Sequence, residues 1–73
     1  MNRIIAFLRN ASVTQIVEIC GVTAGNVSSW RHGRYLPSAR AVLAVAKHIN
    51  ADSAEIFEAA AFLDDDQHSW FKD

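Results

Sequence analysis

Five successive stretches of this sequence bring apolar residues round at intervals of three and four, and its β-branched residues never alternate with polar ones over the length of a strand. That periodicity belongs to helices, so an all-α domain is expected. In the first stretch the apolar residues are Ile4, Ile5, Phe7 and Leu8, closed by Asn10 and Ala11. Ser12-Val13-Thr14-Gln15 has the form of a capping box, in which serine and glutamine satisfy each other's backbone N–H groups. It opens a second helix with Val13, Ile16, Val17 and Cys20 along one side. Gly21 stands where a helix end takes a left-handed residue, and Thr23 follows as an N-cap, so a tight turn joins helix two to helix three.

The third helix is expected from Ala24 to about His32, stopped by Gly33, with Val27 and Trp30 turned inward. Its opposite face is short and polar: Ala24, Gly25, Asn26, Ser28 and Ser29. Arg34-Tyr35-Leu36-Pro37 reads as a loop, after which Ser38 caps a fourth helix whose inward stripe is Val42, Val45, Ala46 and Ile49, with Leu43 beside it. Asp52 with Glu55 repeats the capping-box pattern before a fifth helix carrying Ile56, Phe57, Ala60 and Leu63 as its apolar side. This divides the chain into a folded unit over 1–63 and an acidic, aromatic tail over 64–73.

A chain of 73 residues makes one domain and buries only roughly 60% of its unfolded surface, which excludes a large multi-layer enzyme. An apolar fraction of 51% is too high for disorder, yet no run approaches the ~18 apolar residues of a membrane span. Arg9 and Asn10 interrupt the apolar run from Ile4 to Leu8 too early for a secretion signal. Cys20 is the lone cysteine, so no internal disulfide forms and a reducing cytoplasm is the natural compartment.

The formal net charge of -1 conceals a division along the chain. Up to Ile49, Arg3, Arg9, Arg31, Arg34, Arg40 and Lys47 face Glu18 alone, whereas beyond it Lys72 stands against Asp52, Glu55, Glu58, Asp64, Asp65, Asp66 and Asp73. No carboxylate occurs between Ile19 and Ala51, a stretch that holds four Arg or Lys and two His. Local fields rather than totals attract partners, so a polyanion is the first partner to test there.

Two helices joined by a tight glycine turn, the second with a polar face of short side chains, is how a helix-turn-helix presents a helix to the DNA major groove. The stretch from Val13 to Phe57 resembles the lambda-repressor and Cro-like helix-turn-helix family of phage and bacterial regulators. The resemblance rests on Val17-x-x-x-Gly21-Val22-Thr23, Val27-x-x-Trp30-x-x-Gly33, Pro37-Ser38, Leu43-x-Val45-Ala46-x-x-Ile49 and Glu55-Ile56-Phe57. It implies a compact bundle of about five short helices, with the third as recognition helix. It further implies a double-stranded DNA operator arranged as an inverted repeat, a homodimer, and a role in transcription. Carried over by position, the base-facing residues are Ala24, Gly25, Ser28 and Ser29, with Thr23 and Asn26 beside them. Family members touch the DNA backbone at the end of the third helix and the loop after it, here His32, Arg34 and Tyr35. Arg31 and Arg40 are further phosphate candidates, as are the helix starts at Ser12 and Ser38.

Ala24 and Gly25 stand where better-known members carry long amides or arginine, so direct readout is expected to be sparse. Gly25 would let the backbone come close to the groove, and Asn26 is the one amide able to pair with adenine. Phe57, Phe62, Trp70 and Phe71 exceed what a five-helix monomer can bury and are the expected dimer interface. The rival reading is a small protein-interaction module, an antitoxin or antirepressor that keeps the fold; its support is the acidic, aromatic end of the chain. Catalysis, small-molecule substrates and cofactors are not expected, because so small a helical bundle offers little concave surface. The spacing of His32, His48 and His68 with Cys20 matches no compact zinc pattern.

Overall fold

Five helices account for most of residues 2–65, the part of the chain that the computed structural model describes: α1 (Arg3–Asn10), α2 (Val13–Cys20), α3 (Ala24–Arg31), α4 (Ala39–Ile49) and α5 (Ser53–Asp65). Each begins behind a polar side chain that accepts an N–H of the first turn, a group with no partner inside the helix. Asn2 Oδ1 accepts from Ile4 and Ile5 at 2.9 and 3.2 Å, and Ser12 Oγ accepts from Gln15 at 3.2 Å. Thr23 Oγ1 accepts from Asn26 at 3.1 Å, Ser38 Oγ from Ala41 at 3.2 Å, and Asp52 Oδ1 from Glu55 at 2.9 Å. Four of these caps stand where the sequence predicts them; Asn2 adds the fifth.

The helix ends follow the same logic. Gly21 takes the left-handed conformation at φ 67° to close α2, and Asn50 does so at φ 62° to close α4. An asparagine in that position costs less than other non-glycine residues, because its short amide bonds locally.

Helix α4 packs against α1, α2 and α5, while α3 rests mainly on α2 and α5 also meets α1. Ile4, Ile5, Leu8, Ile16, Val27 and Val45 are essentially sealed from solvent, with Cys20, Trp30, Ala41, Val42, Ala46, Ala59 and Leu63 completing the core. Burying each large aliphatic contributes about 1.5–3 kcal/mol, which holds eight-residue helices such as α1 that would be marginal alone.

Three residues of the expected apolar stripes are exposed. Val13 is 38% exposed, and Phe57, also expected at the dimer interface, is 80% exposed. Along α5 the inward stripe is Ile56, Ala59 and Leu63, with Ala60 exposed. The helix is thus rotated so that small Ala59, not Phe57 or Ala60, faces the core. Helix α5 also runs to Asp65, two residues into the segment read as tail; residues 66–73, including Trp70 and Phe71, lie outside the described residues.

The Asp52–Glu55 pair forms only half of the expected capping box. The Glu55 carboxylate is engaged instead with Arg3 across the α1–α5 contact: Arg3 Nη2 donates to Oε1 at 2.6 Å and the Arg3 backbone N–H to Oε2 at 3.0 Å. Asn2 Nδ2 adds a bond to Glu55 O at 2.9 Å. Hydrogen bonding to Arg3 holds the Glu55 carboxyl below the usual carboxylate range, and the same bond raises the Arg3 pKa. Among the described residues no helix is long and apolar enough to cross a membrane.

Candidate nucleic-acid interface

Helices α2 and α3 meet through Gly21-Val22-Thr23, where the left-handed glycine reverses the chain and Val22 is half-buried beneath the turn. Behind α3, Val27 is fully buried and Trp30 is 6% exposed, as their spacing predicts. Anchoring that side turns the other outward. Thr23, Ala24, Gly25, Asn26 and Ser28 are all exposed, while Ser29 is half-buried and so only partly presented. The outward face carries no side chain longer than asparagine.

At Gly25 an added Cβ would meet only Thr23 Oγ1, at an ordinary 3.7 Å. Packing within the fold therefore does not demand glycine there. The bare backbone is open to whatever approaches α3 from outside.

The end of α3 is closed by two nested backbone bonds, Gly33 N–H to Trp30 O at 3.1 Å inside Arg34 N–H to Ser29 O at 3.0 Å, around a left-handed Gly33 at φ 76°. This fixes Arg34 directly after the helix. Arg34, Arg40 and His32 are exposed, and Tyr35 is 69% exposed. One ring nitrogen of His32, Nδ1, lies 2.8 Å from Ser28 O and 3.2 Å from Ser28 Oγ, which lays the imidazole along the last turn of α3. Ser12 and Ser38 are exposed at the starts of α2 and α4, each hydroxyl taking one N–H of a first turn that has others to offer.

Arg31 is the exception among the phosphate candidates. Its Nη2 donates to Leu8 O at 3.1 Å and to Ala11 O at 2.6 Å, and its Nε is buried without a hydrogen-bond partner among the described residues. The side chain runs inward across the end of α1 instead of outward to solvent. Nothing in the sequence marks this role, because its acceptors are backbone carbonyls far back in the chain.

Of the expected dimer residues, Phe57 is exposed, whereas Phe62 is half-buried against the core with the Arg9 guanidinium 5.7 Å from its ring centroid. Phe62 is therefore already partnered within the protomer. Leu43, 53% exposed, joins Leu36, Pro37, Val42, Ile56 and Ala60 in lining an apolar groove of about 340 Å³ between α4 and α5. Cys20 is buried with Sγ 3.8 Å from Ala41 O, and burial pushes its thiol pKa up, away from a reactive thiolate. Among the described residues no three His, Cys, Asp or Glu side chains are grouped to hold a metal ion.

A narrow, short-sided helical face stands between a cationic loop at one end and a capped turn at the other, on the half of the chain free of carboxylates from Ile19 to Ala51. The acidic side chains Asp52, Glu55, Glu58 and Asp64 are carried at the start of and along α5, which packs on α1 and α4. Comparison with protein-family models, with curated proteins and with solved structures finds no match for this chain.

Proposed function

We propose that this chain is a sequence-specific, double-stranded DNA-binding transcriptional regulator of the cytoplasm, a helix-turn-helix protein of Cro or repressor type that acts without catalysis. The observation that carries the proposal is the two-sidedness of α3: Val27 and Trp30 lock one side into the core, and Thr23 to Asn26 with Ser28 stand clear on the other. A helix so mounted can lie in the major groove, where Asn26 and Ser28 reach base edges and Ala24 offers a methyl to thymine. Arg34, Tyr35, His32 and Arg40 then meet phosphates, together with the helix starts at Ser12 and Ser38.

The exposed Phe57 of α5 and the apolar groove lined by the exposed Leu43 support a homodimer, because each protomer offers both an aromatic side chain and an apolar slot that a second copy could cover. Two copies would set their recognition helices ~34 Å apart, in successive major grooves. The test is to select bound duplexes from a random DNA pool at physiological salt. Enrichment of an inverted repeat with half-site centres about 10 base pairs apart is expected; a pool that emerges without any enriched sequence would overturn the reading.

A further inference from the structure

Arg31 closes the open end of the α2–α3 pair. The two helices are joined covalently at one end, through Gly21, Val22 and Thr23, where α2 finishes and α3 begins. At the other end, where α3 finishes, Arg31 Nη2 donates to Leu8 O and to Ala11 O, the latter in the residue directly before the N-cap Ser12 of α2. These are carbonyls at the end of α1 that lack intrahelical donors, so a guanidinium placed there satisfies them and complements the negative end of the helix. Its surroundings are buried. Leu8 is fully buried, the neighbouring Trp30 is 6% exposed, and Arg31 Nε is itself shielded from solvent.

We infer that Arg31 is a positioning residue for DNA recognition: by tying the last turn of α3 to the end of α1 and to Ala11, in the junction that leads into α2, it fixes the angle between the helix that reads bases and the helix start that seats a phosphate. The inference rests on the proposed DNA-binding function. It assigns specificity to a side chain that contacts neither bases nor phosphates. If the angle between α2 and α3 slackens, α3 can still meet the duplex electrostatically, but Asn26 and Ser28 no longer arrive at fixed base edges. Non-specific affinity survives and discrimination falls. A phosphate-contacting arginine would behave in the opposite way, weakening all duplexes alike and lowering the salt dependence.

The experiment uses the full chain and two probes: the duplex most enriched from a random pool, and the same base pairs in shuffled order. Affinity for each is measured over a series of salt concentrations for wild type, Arg31→Lys and Arg31→Gln, with near-ultraviolet circular dichroism at low temperature reporting the packing of Trp30. Lysine keeps the charge without the planar fork; glutamine removes both. In each folded variant the preference for the selected duplex is expected to fall about tenfold or more, the loss of roughly one base-edge contact, with the salt slope unchanged. A slope smaller by about 0.9 with preference retained would make Arg31 a phosphate ligand and overturn the inference. Wild-type affinity and preference in a folded variant would do the same, as would loss of folding in both variants, which would assign Arg31 to stability alone. If wild type enriches no duplex, the proposed function fails first and this inference falls with it.

Discussion

Gly25 is where the needs of the fold and of the proposed function part. A β-carbon there meets nothing closer than 3.7 Å, and glycine in a helix costs up to about 1 kcal/mol relative to alanine. Gly25→Ala is therefore expected to raise the melting temperature, by no more than roughly 4–8 °C, while weakening binding to the selected duplex. Equal or tighter binding would mean that no ligand approaches the backbone at this point. Exposed Arg34 gives the complementary prediction: Arg34→Ala should weaken all duplexes alike and reduce the slope of log affinity against log salt by about 0.9. Asn26→Ala should instead change which sequence is preferred, as read by a repeat selection with the variant. These residue types and their exposure are legible in the sequence, because Val27 and Trp30 leave an eight-residue helix only one way to face. Arg31 was not legible. A basic residue at the end of a helix looks the same whether it reaches out to a phosphate or back 20 and 23 residues to carbonyls, and backbone acceptors leave no trace in side-chain patterns.

Among the elements, α5 shows most clearly why a helix can be predicted and its rotation missed. Its cap at Asp52 and its apolar spacing are explicit, but Ala59-Ala60-Ala61 lets two overlapping stripes fit the same residues. The spacing puts Phe57 and Ala60 on the apolar side, whereas Ala59 is the residue sealed in the core and Phe57 is 80% exposed. Helix α5 is also pinned to α1 by the Arg3–Glu55 pair, whose distant partners no local motif announces. Because the folded Glu55 carboxyl titrates below its unfolded range near 4.3, its stabilisation is complete above that value and disappears as pH falls through the lowered folded-state pKa. Glu55→Gln should therefore lower the melting temperature near neutral pH and narrow its gap to wild type as the solution is acidified. A gap that stays constant down to pH 3 would show that the pair contributes no pH-dependent stability.

At the scale of the whole molecule, a net charge of -1 coexists with a carboxylate-free stretch from Ile19 to Ala51 that contains α3, the cationic loop and α4. The acids of α5 sit on the helix that also carries the exposed Phe57, the side chain assigned to the second copy in the proposed homodimer. Phe57→Asp is expected to leave the protomer folded, since the side chain is 80% exposed, while shifting sedimentation toward the monomer and weakening binding to the inverted repeat more than to one half-site. Unchanged sedimentation would remove this face from the dimer. In the proposed complex the outward side of α3 enters the major groove, and isotope-edited amide spectra of the full chain titrated with the selected duplex test this. Shifts concentrated on residues 23–29, the loop at 32–35 and the start of α2 are the expected result; shifts confined to the Leu43 and Phe57 face, with α3 untouched, would contradict it.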